Sequence, residues 1–200
     1  GRSFCVGADT AALDGIAEAR GYDTGVREPL AAVGDPSDPV TATRHGFLLT
    51  IPKPVIAAVN GGVAGLGFVI MCFADIRFAA AGAKITTSFA KLGLPAEHGV
   101  SWVLPRLIGT AAAAELLLSS RIVLAEEAKA LGLVTDVYPA DELLPAVVAY
   151  ARTLAAERSP AAIRVMKRQL LADAHRSLPD AAAEAFTLME EMVKDEDFRE

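Results

Sequence analysis

The order of apolar segments along the chain predicts an α/β fold. Up to about residue 138, short apolar runs typical of buried strands alternate with helix-like segments. The remaining residues are predicted to be helical throughout. A glycine-rich segment at residues 60–67 (NGGVAGLG) lies between an apolar strand and an apolar helix. Such a turn brings backbone N–H groups and a helix N-terminus to one place. We therefore expect the functional site at this turn.

The first half of the chain carries several of the predicted strands. Residues 4–6 form a short strand that ends at Gly7, and residues 11–20 follow as a short helix. Between residues 21 and 44, glycines and prolines interrupt every helix or strand pattern. Such a segment is typical of a mobile flap or lid over a site. The apolar run at residues 55–59 does not alternate with polar residues, which is typical of strands buried on both faces. We therefore expect helices to cover the sheet.

Helices dominate the second half. Gly132 suits the position just past a helix end, and Pro160 and Pro179 are helix-start signals. The later elements are predicted as strands at 76–79, 84–87 and 133–138 and as helices at 110–119, 125–131, 141–157, 159–174 and 179–194.

Composition excludes several classes of protein. The 200 residues, 52% of them hydrophobic, suit one compact domain or one domain with an appendage. The net charge is −6 without a basic run, so no nucleic-acid partner is expected. Cys5 and Cys72 form no disulfide framework and no metal-ligand spacing. The apolar run at residues 68–74 is far shorter than the about 20 residues of a membrane span. We expect a soluble, cytoplasmic protein with no membrane partner and no metal.

The glycine spacing by itself allows two other interpretations. Gly61, Gly65 and Gly67 after a strand also match the nucleotide loop of short-chain dehydrogenases. However, no Tyr-x-x-x-Lys occurs in the chain, and no acidic residue stands about 20 positions further on to hold a ribose. The same glycines are also expected where a helix simply packs closely on a strand.

Other motifs favour a third interpretation. They are GxxFCxGAD at 1–9, PKPVIAAVNG at 52–61, ADIR at 74–77, LGL at 92–94 and AxxxGLV at 128–134. In this order and at these intervals, the chain resembles the crotonase superfamily, the enoyl-CoA hydratase/isomerase group, over nearly all of its length. The resemblance implies a crotonase-like spiral of ββα turns over residues 1–138 and a C-terminal all-helical trimerisation domain over 139–200. It also implies that the N-terminal part of the fold is absent from this chain.

The resemblance implies that the substrate is an acyl thioester of coenzyme A, so that coenzyme A is part of the substrate and no separate cofactor is expected. It implies a homotrimer or a dimer of trimers. It places an oxyanion hole at the backbone N–H groups of Ala8 and Leu66, with Gly7, Asp9 and Gly65 as neighbouring substrate-binding residues. Two fixed donors at a helix N-terminus would stabilise the negative charge that enolate chemistry puts on the thioester oxygen.

The acid/base residues depart from the hydratase pattern. Enzymes that hydrate 2-enoyl thioesters resemble one another in carrying two glutamates. The corresponding positions here hold Val69 and Phe89. We expect these two residues to contact the substrate instead of moving a proton. Glu97, four residues beyond Gly93, lies where enzymes resembling the Δ3,Δ2-enoyl-CoA isomerases carry a single catalytic carboxylate. One base suits isomerisation, since it can take a proton from the α carbon and return it to the γ carbon. The adjacent His98 is expected to contact Glu97 or the substrate.

The favoured function is therefore double-bond isomerisation of an enoyl-CoA through Glu97. Hydration of an enoyl-CoA, with His98 assisting water, remains an alternative, and hydrolysis of a thioester or of a ring ketone is a third reaction. Because both hydratase carboxylates are missing, a non-catalytic acyl-CoA-binding role also remains open.

Overall fold

The computed structural model describes residues 1–8, 15, 18, 19, 40, 43, 45–194 and 198. Most of the helix predicted at 11–20 and of the flap predicted at 21–44 therefore lies outside the described residues. In chain order, the elements are β1 (Ser3–Cys5), α1 (Phe47–Thr50), β2 (Ile56–Val59), β3 (Gly62–Ala64), α2 (Leu66–Phe73), β4 (Ile76–Ala80), β5 (Lys84–Thr86), α3 (Val100–Ser119), β6 (Val123–Leu124), α4 (Ala125–Ala130), β7 (Asp136–Tyr138), α5 (Leu143–Glu157), α6 (Pro160–Asp173) and α7 (Leu178–Met192). Two short 3-10 turns, Ala90–Leu92 and Glu97–Gly99, precede α3.

The strands are divided between two sheets. One sheet has the order β1-β3-β5-β6 and the other β2-β4-β7. All neighbouring strands are parallel except β5 and β6. β2 and β3 belong to different sheets and are followed by α2, and β4 and β5 repeat this arrangement before α3. The chain thus winds through successive ββα turns, which confirms the predicted α/β class and spiral.

The helix α2 lies inside the main hydrophobic core. Six of its eight residues are buried, and it packs with α3 and with the strands β1 and β3. The largest fully buried side chains of this core are Phe68 and Met71 of α2 itself, together with Ile85, Leu104 and Leu133. A helix that is apolar on nearly every face is held by packing on all sides. The hydrophobic core therefore fixes the position of α2.

The first half of α3 was not predicted. The sequence predicted a helix only over 110–119, whereas α3 begins at Val100 and contains Pro105. From length and composition alone, the segment Glu97–Ser119 could cross a membrane, a test that core helices of soluble proteins also pass. However, Gly109 has φ 78° and ψ 159°, which interrupts the helix. Each of the two resulting pieces is shorter than the about 20 residues of a membrane span.

The helix α5 covers the second sheet. Its buried residues Leu143 and Val147 pack against Phe78 and Ala80 of β4. The predicted boundary near residue 139 separates the last strand from the helices, but α5 is packed onto the strands that precede it. The division into two domains stays a prediction.

The helix α6 is fixed to the core by one lysine. The Nζ atom of Lys167 lies 2.7 Å from Asp75 Oδ2 and also donates hydrogen bonds to the backbone oxygens of Leu48 and Lys53. The same Asp75 oxygen accepts the backbone N–H of Val55 at 2.7 Å. This group joins α6 to α1 and to the segments that lead into β2 and β4.

The starts of α6 and α7 follow the sequence signals. The hydroxyl oxygens of Ser159 and Ser177 accept the backbone N–H groups of Ala162 and Asp180, and a proline follows in the first turn of each helix. These are the expected N-cap arrangements. Neither helix contains a buried residue.

Candidate active site

The glycine-rich segment forms a strand and then a sharp turn into α2. Residues Gly62–Ala64 form β3, and Gly65 follows with φ 51° and ψ −118°. Glycine adopts such a positive φ without the steric cost that a side chain would bring. The helix begins at Leu66, and the first N–H groups of a helix have no acceptor within it. The N–H of Leu66 therefore has no acceptor within the helix, and its place in an oxyanion hole stays a prediction.

Glycine is required at position 67 for a different reason than at position 65. A Cβ atom placed on Gly67 would lie 2.0 Å from the backbone oxygen of Cys5 and 2.7 Å from the Cys5 Cβ. No side chain fits in this space, so α2 lies directly on β1. Close packing of helix on strand therefore accounts for Gly67, whereas the conformation of the turn accounts for Gly65.

The two turns predicted for the oxyanion hole are in contact. A Cβ atom on Gly7 would lie 3.4 Å from the backbone oxygen of Ala64 and 3.8 Å from the backbone nitrogen of Leu66. A Cβ atom on Gly65 would lie 4.0 Å from the Cα of Gly7. The turn after β1, which carries Ala8, thus meets the turn that starts α2. The remaining predicted neighbour, Asp9, lies outside the described residues.

Val69 and Phe89 are core residues. Their side chains are 0% and 3% exposed, and both belong to the main hydrophobic cluster. No group at either position can move a proton. Neither presents surface to a ligand in this structure, so their contact with a substrate stays a prediction.

The thiol of Cys72 in α2 is also enclosed. Cys72 is 1% exposed, and burial raises the pKa of its thiol to about 12. The charged form of a buried thiol is poorly solvated, so this group stays protonated near neutral pH and cannot act as a nucleophile.

Glu97 lies in a turn beside α2. It begins the 3-10 turn Glu97–Gly99, and this turn contacts α2. A Cβ atom on Gly99 would lie 3.7 Å from Cζ of Phe73, the last residue of the helix. Glu97 is half-buried, and its carboxylate makes no hydrogen bond or ion pair within the described part of the chain. The role of Glu97 as the catalytic acid/base stays a prediction.

His98 has an unusual backbone conformation for a residue with a side chain. Its φ is 53° and its ψ 27°, in the left-handed region. Such conformations cost free energy, and they concentrate at functional sites. The ring of His98 packs edge-on against His45, with 5.0 Å between the ring centroids.

A cavity of about 550 Å³ lies beside His98. We call it the His98 cavity. Trp102 lies in its wall, stacked on His175 at a centroid distance of 5.8 Å and an interplanar angle of 22°. The described residues that line the cavity are Val40, Thr43, Leu49, Phe73, His98, Gly99, Trp102 and His175.

Three aromatic residues in or beside the cavity wall were not predicted to be functional from the sequence. His45, Trp102 and His175 come from separate segments, and no spacing along the chain connects them with His98. Only the folded chain brings them together. Among the residues that the structure describes, no group of three or more His, Cys, Asp or Glu side chains could hold a metal ion.

Comparisons with known proteins agree with the fold and with the motifs. A family model for enoyl-CoA hydratase/isomerase matches residues 1–200. A probable enoyl-CoA hydratase of Rhodobacter capsulatus is 34% identical over 201 residues, a match that covers 100% of this chain and 72% of that protein. A 1,2-epoxyphenylacetyl-CoA isomerase of Escherichia coli is 40% identical over 110 residues, which cover 55% of this chain and 42% of the relative.

A solved structure of a similar protein has the same fold. The crystal structure of a probable enoyl-CoA hydratase/isomerase from Mycobacterium abscessus has a TM-score of 0.81 and 27% identity, covering 98% of this chain and 70% of the other. The chain therefore belongs to the enoyl-CoA hydratase/isomerase family, within the crotonase superfamily.

Proposed function

We propose that the protein moves the carbon–carbon double bond of an enoyl-CoA thioester. The contact between the Gly7–Ala8 turn and the Gly65–Leu66 turn carries the proposal. It brings two backbone segments together at the N-terminus of a buried helix, where N–H donors and the helix dipole both favour negative charge. The N–H groups of Ala8 and Leu66 would hold the thioester oxygen as charge develops on it. Loss of one such donor typically costs about 3 kcal/mol of transition-state stabilisation.

Glu97 would act as the single acid/base. Its carboxylate takes a proton from the α carbon of a 3-enoyl thioester, and the resulting dienolate is stabilised at its oxygen by the two N–H groups. The same carboxyl group, after its proton has exchanged with solvent, then gives a proton to the γ carbon, which yields the 2-enoyl thioester. The step consumes no water and no electrons. The apolar side chains of Val69 and Phe89 disfavour a mechanism with two carboxylates.

The names of the relatives support both the proposal and a second candidate. The Escherichia coli relative is named as an isomerase of an acyl-CoA. Hydration of an enoyl-CoA is the second candidate, because the Rhodobacter capsulatus relative is named a probable enoyl-CoA hydratase. In either reaction, coenzyme A arrives as part of the substrate, and we propose no further cofactor.

We also propose that α6 and α7 form the subunit interface of a homotrimer or a dimer of trimers in the cytoplasm. Large apolar side chains on and beside these helices are exposed, including Leu170 at 80%, Leu178 at 82% and Phe186 at 67%. Such a surface suits contact with another subunit. Light scattering on the purified protein should give three or six times the chain mass, and a stable monomer would contradict this.

Mass spectrometry in heavy water tests the reaction. The protein is incubated separately with 3-enoyl-CoA and with 2-enoyl-CoA, alongside Glu97→Gln and a control, Glu142→Gln, which changes an exposed glutamate at the start of α5. We expect deuterium incorporation and a shifted double bond with the native protein and with Glu142→Gln, but not with Glu97→Gln. A mass gain of one water would establish hydration instead. Unchanged thioester that stays bound would indicate a binding role.

A further inference from the structure

One face of α6 carries three cationic residues. Lys167 and Arg168 follow Arg164 by three and four positions, a spacing that places all three on the same side of a helix. Met166 and Leu170, two exposed apolar residues of the proposed subunit interface, lie about half a turn away around the helix. The cationic face of α6 is therefore separate from that interface.

A cavity of about 310 Å³ lies between this face and the segment that joins α1 to β2. We call it the Arg164 cavity. Its volume is at the lower end of the range of about 300–1,000 Å³ that is usual for small-molecule pockets. The side chains of Leu49, Ile51, Val165 and Leu171 give it apolar walls. Among its described lining residues there is none from the two glycine turns or from the 97–99 turn, so the cavity lies outside the proposed active site.

The three cations are paired to different degrees. Lys167 has its ion pair with Asp75 at 2.7 Å. Arg168 lies 3.9 Å from Glu184, and because its side chain is 63% exposed, solvent screens this pair. Arg164 makes no hydrogen bond or ion pair with the described residues, and no described acidic residue lines the cavity. The cavity is thus a local positive region in a protein of net charge −6.

We propose that the Arg164 cavity binds a free carboxylic acid with an apolar tail of medium length, at a site separate from that of the thioester. The guanidinium of Arg164 holds the carboxylate through two parallel hydrogen bonds, and Arg168 adds positive charge. The tail packs on the apolar walls and leaves water. A compact anion would make no use of these walls, and a neutral chain would make no use of the cations. The ligand that uses both is an anionic amphiphile.

Calorimetric titrations into the full chain test both halves of this ligand. The probes are octanoate, 1-octanol, which has the same tail without the charge, and propionate, which has the same carboxylate on a short tail. Octanoate should bind about tenfold or more tightly than either. Equal affinity for 1-octanol would show that the cations are not used, and equal affinity for propionate would show that the walls are not used. Either result would overturn the proposal.

Substitutions at one position test the location of the carboxylate. Arg164→Gln should weaken octanoate about tenfold, because it removes the charged fork. Arg164→Lys keeps the charge as a point charge and should restore part of the loss. The control is Arg152→Gln, at an exposed arginine of α5 that is not among the lining residues.

The control variant should change the affinity for octanoate by less than about threefold. Thermal melts should show all three variants folded, because Arg152 and Arg164 are both exposed. Equal weakening by Arg164→Gln and Arg152→Gln would indicate attraction by net charge alone. Native affinity in Arg164→Gln would place octanoate elsewhere. Both results would contradict a site at Arg164.

Competition with a thioester tests whether the site is separate. The measurement is needed because Leu49 lines both the Arg164 cavity and the His98 cavity. In the presence of saturating octanoyl-CoA, the affinity for octanoate should stay within about threefold of its value without the thioester. Loss of octanoate binding would mean that the acid occupies the thioester site, which would overturn this inference and leave the proposed function standing.

Discussion

Two turns that pack against α2 are built in different ways. At the N-terminus of α2, two glycine turns meet, and the proposed functional groups belong to the backbone. The turn Glu97–Gly99 offers side chains instead, and their neighbours come from distant segments. A backbone site depends on the path of the chain and little on which side chains surround it. A side-chain site depends on the particular residues that the fold brings together.

The largest expected effect is at Leu66. Leu66→Pro removes the N–H proposed for the oxyanion hole, and proline is tolerated at the first position of a helix. Turnover should fall about 10²- to 10³-fold while circular dichroism stays native. Leu66→Ala, the control, keeps the N–H and should stay within about tenfold of the native rate. A folded Leu66→Pro protein with native turnover would show that the backbone donor is not used.

The second test concerns the packing that holds this turn. Gly67→Ala places a Cβ atom 2.0 Å from the backbone oxygen of Cys5, so α2 or β1 must move. We expect a loss of about 3 kcal/mol in the free energy of unfolding, measured with urea. Gly62→Ala is the control, because its new Cβ would lie 3.4 Å from Val6 Cγ1, an ordinary contact. Its cost should stay below about 1 kcal/mol. Similar costs for both variants would contradict the tight contact.

A smaller effect is expected at Lys167, which joins α6 to α1 beside the His98 cavity. Lys167→Met removes the ion pair with Asp75 and the hydrogen bond to the backbone of Leu48, beside the cavity residue Leu49. The Lys167 side chain is only 10% exposed, so we expect a loss of about 2 kcal/mol in unfolding free energy. Lys194→Met, at an exposed lysine after α7, should change it by less than about 0.5 kcal/mol. Thermal melts of the two variants that coincide would refute the role of this contact.

The smallest effect concerns the interior of α2. Because burial raises the pKa of the Cys72 thiol to about 12, only about one thiol in 10⁴ is ionised at pH 8. Cys72 should resist iodoacetamide in the native protein, whereas the half-buried Cys5 reacts first. Both should be labelled in urea, as read by peptide mass spectrometry. Rapid native labelling of Cys72 would mean that α2 opens readily.

Unbroken apolar runs made some elements predictable. β2 and β4 lie within one residue of their predicted ranges, since a buried strand needs apolar residues on both faces. β3 was missed because it lies inside the glycine-rich segment and forms through pairing with β1 and β5. The first half of α3 was missed because Pro105 and Gly109 are read as helix breakers.

The candidate site also has one part that the sequence could predict and one part that it could not. The Gly65–Leu66 turn was predictable, because a positive φ and a close approach each select glycine. The grouping of His45, His98 and His175 was not, because it depends on how distant segments pack. Local backbone demands leave a pattern in the sequence, whereas tertiary proximity of side chains leaves none in a single chain.

A crystal structure with a bound saturated acyl-CoA would show whether the two turns form the oxyanion hole. We expect the thioester oxygen to lie within about 3.1 Å of the backbone nitrogens of both Ala8 and Leu66. A thioester oxygen that contacts neither nitrogen, in a protein with the acyl-CoA well ordered, would contradict it.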